Sequence, residues 1–477
     1  MKKLFTLSIS LLFLSQILFS QALLTSELIG SRTKGELDAQ FFGQTFLNGV
    51  KLYRVTYETK DLDGNTTIAS GLVCIPDVLT KRYPLLCYEH GTAGTDSDVP
   101  SNLGFDADFA IAFSGKGYVA FAPDYLGMGV NPGIHPYVHA ASEAWVSLDL
   151  LKATREFSAE NDVAINDQLF ITGYSQGGHS AMAFHRLLAQ TGEFEVTAAA
   201  PMSGPYSIGE VMRDLIFSGQ AYSKPGYLIN TIVSYQYVYG DMYASIQEAF
   251  KPPYQNLVAQ FSSDQLSLAD MDAQLINLLN ANEGAVIPIK MLNDDYVAAI
   301  MGNPNHPVNL HLKENNTYDN WVDLVPTRLY YCQADEQVPF ENSTFAAAEM
   351  QAAGAVDVQA INSFAQGTHA LCALFAPAQA ITFFGNYQVI EDLTAVSQVK
   401  GASPYTISPN PANDFLWVKN LPDSSRLLLT DLSGKTRFSQ NPENGEAQLD
   451  LSGLQSGIYL LQIVANGQAW TEKVVKN

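Results

Sequence analysis

The chain is short of positive charge, of cysteine and of long apolar runs, and each shortage removes a class of function. Its 26 Lys and Arg stand against 48 Asp and Glu, a formal net charge of −22 over 477 residues. Such a surface repels nucleic acid and anionic membrane alike, since both are met first through excess positive charge. No nucleic-acid partner is expected, and the acidic balance is read as serving solubility. Cys74, Cys87, Cys332 and Cys372 are too few for a disulfide framework. Their even number in an exported chain leaves two bridges or four buried thiols equally open. His135, His139, His306 and His311 show no grouping with acids or cysteines at ligand spacing, so no metal is expected. Past the N-terminus no run of about 20 apolar residues appears, and no stable transmembrane segment is expected. The run from Leu4 to Phe19 follows Lys2 and Lys3 and precedes Ser20-Gln21-Ala22, so residues 1–22 read as a secretory signal peptide.

What is present is a chain 47% hydrophobic, enough for a large core and more than one domain. It is organised around Gln168-Leu169-Phe170-Ile171-Thr172-Gly173-Tyr174-Ser175-Gln176-Gly177-Gly178-His179. Leu169 to Thr172 has the apolar, β-branched character of a strand covered on both faces, and Ala181, Ala183, Phe184, Leu187 and Leu188 recur at helical spacing. Between them lies Gly-x-Ser-x-Gly, in which two glycines let strand and helix close on a serine held in a strained, exposed turn. Ser175 is the expected nucleophile. The N–H of Gln176, at the helix N-terminus, is the expected donor to an oxyanion.

Around this stretch the chain alternates. Val50 to Thr59 and Thr66 to Ile75 form a hairpin across Asp63-Gly64, and Asp61 to Asn65 is read as a turn because its glycine sits too early for a calcium loop. Strand, helix, strand, helix, strand, helix and strand follow from Tyr83 to Met202, the pattern of a doubly wound, mostly parallel sheet with its site at the C-terminal strand ends. From Ser203 to about Leu324 the pattern turns helical, interrupted by Pro225, Pro252-Pro253 and Pro304-Asn305-His306-Pro307. Residues 203–324 are therefore expected to be an inserted cap. Its tyrosines are expected either to line a cleft or to pack, with Tyr235, Tyr239 and Tyr243 spaced to share one helix face. The sheet resumes at Thr327 to Cys332 and at Val356 to Ile361, and the catalytic body closes near Tyr387. From Gly401 short β-runs with turn signals predict a small β-sandwich. The expected domains are 23–392, a linker at 393–403, and 404–477.

A nucleophilic serine needs a base within hydrogen-bond reach and an acid to orient that base. After Asp335 the only histidine is His369, and both follow strands on loops, so Asp335 is the expected acid and His369 the expected base. Glu336 and Asp357 are the rival acids; Glu336 should point away if Asp335 points in. His90, His179 and His185 are expected to be structural or cleft-lining. The Gly-bearing loop Glu89 to Thr95 is placed to supply a second oxyanion donor, the N–H of Thr92, with Ala93 as the alternative.

With His90-Gly91-Thr92, Pro123 to Gly129, His135-Pro136-Tyr137 and Gly173 to His179 in view, residues 30 to 390 resemble the secretory lipase group of the α/β-hydrolase superfamily. That resemblance implies a cofactor-free esterase or lipase with a helical cap, acting on small-molecule or lipid esters through Ser175, Asp335 and His369. Ser408-Pro409-Asn410-Pro411, the Gly457-Ile458-Tyr459 step and the ending Glu472 to Lys476 resemble the type IX secretion C-terminal sorting domain. This implies engagement of the type IX machinery and release or attachment at the cell surface. Three rivals carry different chemistry. A feruloyl or acetyl esterase acting on polysaccharide would use the tyrosines to stack sugars. A prolyl-oligopeptidase-type serine peptidase would need an N-terminal propeller, for which only about 30 residues are spare ahead of the first strand. A non-catalytic surface binding protein would have no use for the ordered Ser, Asp and His.

Overall fold

The computed structural model describes residues 22–393 and 405–477, apart from 42, 96, 105, 423–424, 432–434, 443 and 466–467. Residues 1–21 of the expected signal peptide and almost all of the expected linker lie outside the described residues. The chain divides into two compact units, the second beginning at Asp392.

The first unit is built on one twisted sheet. β1 (Leu23–Arg32), α1 (Lys34–Gln40), β2 (Val50–Lys60), β3 (Thr66–Pro76), β4 (Lys81–Glu89), α2 (Ala107–Gly115), β5 (Val119–Pro123), α3 (Ala140–Glu160), β6 (Ile165–Tyr174), α4 (Gln176–Thr191) and β7 (Ala198–Met202) follow in order. β1 is a strand that the sequence pattern does not announce. It pairs antiparallel with β2 as the edge of the sheet, and most of its side chains stay in solvent or half-covered, so no clean alternation marks it. β2 and β3 form the expected hairpin, with Gly64 at φ 83° in the turn and the Asp61 carboxylate accepting from the N–H groups of Asp63 and Asn65. The strand order is β1-β2-β3-β5-β4-β6-β7, continuing to β8 and β9, with every pair from β5 onward parallel. The central strands are buried along their length, as parallel strands covered on both faces must be.

Between β7 and β8 (Thr327–Tyr331) the chain leaves the sheet. After a π-helical turn at Ile208–Met212 come α5 (Arg213–Phe217), α6 (Pro225–Tyr239), α7 (Ile246–Ala249), α8 (Tyr254–Ser262), α9 (Leu268–Glu283), α10 (Asp294–Gly302) and α11 (Pro307–Glu314). These helices have a core of their own, including Ile229, Val258, Met271, Leu275, Leu279 and Ile300, closed below by Tyr137 and Val138 of the body. Two of the prolines expected to interrupt helices start them instead: Pro225 and Pro307 stand in the first turn of α6 and α11, where the missing N–H has no partner to lose. Tyr243 does not share a face with Tyr235 and Tyr239, because Gly240, at φ 79°, ends α6 before it. The body closes with α12 (Glu341–Ala352), β9 (Val358–Asn362), α13 (His369–Gly385) and the two-residue β10 (Glu391–Asp392).

Among the described residues, the regular elements of the second unit are strands: β11 (Thr406–Ser408), β12 (Phe415–Lys419), β13 (Arg426–Asp431), β14 (Thr436–Gln440), β15 (Glu446–Asp450), β16 (Gly457–Ala465) and β17 (Gln468–Lys476). They form two antiparallel sheets, β11-β12-β15 and β14-β13-β16-β17, which share one core of Leu416, Val418, Leu427, Leu429, Leu461 and Ile463.

Candidate active site

Ser175 occupies the single residue between β6 and α4, at φ 60° and ψ −124°, a conformation that a side chain disfavours. The surroundings enforce it. Ser175 donates its N–H to the Met202 carbonyl at 3.0 Å, and its own carbonyl accepts from Gly178 at 2.8 Å. A Cβ at Gly173 would strike the Gly177 carbonyl, and one at Gly177 would strike the Glu89 carbonyl. The two glycines are thus required by close approach, and β6, α4 and β4 meet at this one corner. Ser175 is 7% exposed.

His369 opens α13, whose N-cap is Thr368. Its Nε2 lies 2.9 Å from Ser175 Oγ and its Nδ1 2.7 Å from Asp335 Oδ2. Asp335 Oδ1 accepts from the N–H groups of Gln337 at 3.0 Å and Val338 at 2.9 Å. A carboxylate so held accepts a hydrogen bond from Nδ1–H and leaves the Nε2 lone pair to face the serine hydroxyl. The hydroxyl, imidazole and carboxyl therefore stand in one hydrogen-bonded series.

Glu336 does not point away. Its Oε2 accepts from the His369 backbone N–H at 3.0 Å, a carboxylate at the N-terminus of α13, and Tyr174 donates its hydroxyl to the His369 carbonyl at 2.5 Å. The other rival acid, Asp357, is occupied by Arg328 at the start of β9. Cys332 and Cys372 are joined in a disulfide, which ties the loop bearing Asp335 to the helix bearing His369; Cys74 and Cys87 are free and buried. One bridge forms, where two or none were open.

The loop after β4 lies directly against the elbow, since a Cβ at Gly91 would come 3.6 Å from that of Ser175. Gly91 donates its N–H to Asp106 at 2.5 Å. Among the described residues, the backbone N–H groups of Thr92 and Gln176 have no acceptor within the protein. The Thr92 hydroxyl pairs with that of Tyr137 at 3.1 Å. His90 is held structurally, with Nδ1 2.7 Å from the Gly91 carbonyl and its ring stacked on Tyr125.

The sequence reading passed over a buried polar cluster behind Gln176. Gln176 donates Nε2–H to Glu143 Oε1 at 2.9 Å and to His135 Nε2 at 2.7 Å. His135 donates Nδ1–H to the Leu126 carbonyl, and burial pushes its pKa down to about 4, so it is neutral and accepts at Nε2. His179 has Nδ1 2.7 Å from Glu143 Oε2 and Nε2 2.9 Å from the Asn315 carbonyl. Both ring nitrogens therefore face oxygen atoms, one a carboxylate and one a carbonyl. Burial alone would raise the Glu143 pKa; His179 and Gln176 outweigh it and leave the group below its ordinary value. A signal for this existed in α3, where Glu143 interrupts the small and apolar stripe Ala140, Ala144, Ser147 and Leu151 on the buried face.

Two cavities meet at Ser175. One, of about 70 Å³, is roofed by the helical insertion and lined by apolar side chains that include Ile208, Met212, Phe217, Leu228 and Leu312. The other, of about 240 Å³, is lined by Thr92, Asp98, Asp106, Phe109, Gln337 and His369 among others. Tyr222 and Tyr227 reach the first and bond Gln337 through their hydroxyls, whereas Tyr235 is buried against Val138 and Tyr239 stacks on His311.

The chain is similar to solved esterases and lipases. The rice cell wall degrading esterase LipA of Xanthomonas oryzae superposes with a TM-score of 0.67 at 27% identity, over 77% of this chain and 98% of that one. Lipase A of Candida antarctica superposes with a TM-score of 0.56 at 16% identity, over 79% and 87% of the two chains, a likeness of fold alone. Karilysin of Tannerella forsythia is 32% identical over 106 residues, which make up 20% of this chain and 22% of karilysin. Residues 406–477 match the secretion system C-terminal sorting domain, which implies a secreted or surface destination. The body therefore has an α/β-hydrolase fold similar to that of esterase LipA and lipase A, and the chain ends in a secretion system C-terminal sorting domain.

Proposed function

We propose that the protein is an exported serine ester hydrolase in which Ser175, His369 and Asp335 form the catalytic triad. The observation that carries this reading is His369, which spans from Asp335 Oδ2 at 2.7 Å to Ser175 Oγ at 2.9 Å. Ser175 Oγ attacks the ester carbonyl while Nε2 takes its proton, and Asp335 stabilises the imidazolium that results. The oxyanion is held by the N–H groups of Gln176 and Thr92, neither of which has to give up another partner. His369 then protonates the leaving alcohol, and water, deprotonated by the same nitrogen, releases the acid. No cofactor or metal enters these steps. Export is by the signal peptide at residues 1–22 and then, through the C-terminal domain, by the type IX machinery.

The apolar cavity under the insertion favours an aliphatic acyl group. A second reading, an esterase of cell-wall polysaccharide, is favoured by the likeness to LipA at 27% identity. Both readings are tested with the mature full-length chain, given p-nitrophenyl esters from acetyl to palmitoyl and acetylated or feruloylated polysaccharide. Ester turnover that falls by at least ~10⁴-fold in Ser175→Ala is expected. A folded wild-type chain that turns over none of these substrates would sink the proposal.

A further inference from the structure

His369 is the first residue of α13, where a helix leaves its N–H groups without partners of its own. The cap side chain, Thr368, is given to the Leu371 N–H further in. The His369 N–H goes instead to Glu336 Oε2 at 3.0 Å, and the His369 carbonyl accepts the Tyr174 hydroxyl at 2.5 Å. Glu336 follows Asp335 in the chain, and Tyr174 precedes Ser175. The backbone of His369 is therefore held on both sides by the chain neighbours of the two residues that its ring nitrogens face.

The acid loop and α13 are already joined covalently through Cys332 and Cys372, so what these two side chains add is orientation. The loop that presents Glu336 is fixed from its other side by the insertion: Ser223 donates its hydroxyl to the Glu336 carbonyl at 3.2 Å, and Tyr222 donates to the Gln337 carbonyl at 2.8 Å. Tyr174 is buried, with its ring 5.0 Å from that of His369. Burial pushes its pKa up, so the hydroxyl keeps its proton and donates. Burial would raise the Glu336 pKa; the His369 N–H and neighbouring bonds outweigh it and leave the group below its ordinary value, a carboxylate at the positive end of α13. We propose that Glu336 and Tyr174 are positioning residues, which aim the His369 ring at Ser175 by fixing the peptide groups on either side of it. A catalytic group has to stay within about 0.5 Å and 10–20° of its productive geometry, and a displacement of about 1 Å costs up to about 10²-fold in rate. The effect on turnover rests on the hydrolase reading; the alignment of the ring does not.

The test uses the mature full-length chain, p-nitrophenyl butyrate and three substitutions. Tyr174→Phe keeps the ring and removes the donor, Glu336→Ala removes the acceptor, and Glu336→Gln keeps an acceptor oxygen. Tyr174→Phe and Glu336→Ala should each lower kcat about tenfold with KM unchanged, and Glu336→Gln should recover most of the loss. A second readout follows the His369 Nδ1 proton by NMR in a chain with isotope-labelled histidine. Bonded to a carboxylate, this proton resonates far downfield; it should move upfield and broaden in Tyr174→Phe and Glu336→Ala and stay in place in Glu336→Gln. Melting temperatures report that each variant is folded. Unchanged kcat in either Tyr174→Phe or Glu336→Ala, a rise in KM at constant kcat, or a Glu336→Gln chain as slow as Glu336→Ala would overturn the proposal. If the wild-type chain hydrolyses no ester, the proton resonance decides alone. Its displacement in the two variants then supports the alignment and removes only the hydrolase reading, whereas a resonance that does not move overturns the proposal as well.

Discussion

Glu89 ends β4 beneath the elbow, with its carbonyl against Gly177 and the loop to Thr92 leaving from it. Its side chain is fully buried, and Cys87 Sγ donates to Oε1 at 3.2 Å. Burial pushes its pKa up to about 8 from an ordinary 4.5, the charge of Glu143 adds to the rise, and bonds from Ser147, Cys87 and Tyr125 oppose it. Between pH 4.5 and 8 the unfolded chain has lost this proton while the folded chain keeps it. The native state then binds the extra proton, so stability is full below the unfolded pKa and falls as pH rises toward the folded one. The slope is about 1.4 kcal/mol per pH unit, and the loss across the window is roughly 5 kcal/mol. Glu89→Gln keeps the shape and cannot ionise. Urea unfolding at pH 4.5, 6, 7 and 8 should therefore find the two proteins within about 1 kcal/mol at the acid end, with the variant more stable by several kcal/mol at pH 8. Burial raises Asp106 and Asp124 as well, but they act in both proteins and leave the difference to Glu89. Stability curves that run parallel across the pH series would refute the reasoning.

Two further predictions concern the site. Asp335→Asn keeps the volume but cannot hold the Nδ1–H tautomer of His369, so kcat for a p-nitrophenyl ester should fall about 10⁴-fold with little change in KM. Glu143→Gln removes the charge beside His179 and one acceptor from Gln176; steady-state kinetics should show kcat lowered roughly tenfold at constant KM, and urea unfolding a loss of about 3 kcal/mol.

The elements that sequence order made legible are those whose local pattern and tertiary role agree. Leu169 to Thr172 is apolar because β6 is covered on both faces, and Gly173 and Gly177 stand where no Cβ fits, so composition and geometry point to one corner. β1 was not legible because an edge strand paired on one side need not alternate, and Leu28 can lie exposed on it. Tyr243 was misplaced because periodicity does not count the αL glycine that stops a helix. The disulfide was undetermined because a sequence separation of 40 between Cys332 and Cys372 says nothing of their distance, 5.7 Å between Cα atoms. The Glu143, His179 and Gln176 cluster escaped for another reason. Its members come from α3 and α4, and its far end, the Asn315 carbonyl, follows α11 of the insertion, so the arrangement exists only after the tertiary fold does.

That cluster answers an electrostatic problem that the mechanism poses. On the proposed mechanism an oxyanion forms at Ser175, yet Glu89, Asp106, Asp124, Glu143 and Asp335 all lie close about the elbow and its two flanking loops. Five ionised carboxylates would oppose it strongly in a buried site, where charges are poorly screened. Each is dealt with differently. Glu89 keeps its proton below about pH 8, and Asp106 and Asp124 are shifted by burial in the same direction. Glu143 is taken up by His179 on one oxygen and by the Gln176 side chain on the other. Asp335 is aimed at the His369 ring, with two backbone N–H groups on its far oxygen and His369 on the near one, and Glu336 is turned to the His369 backbone N–H. On the proposed mechanism the imidazolium created during attack then meets the one negative charge placed to receive it, while the oxyanion meets only backbone N–H groups.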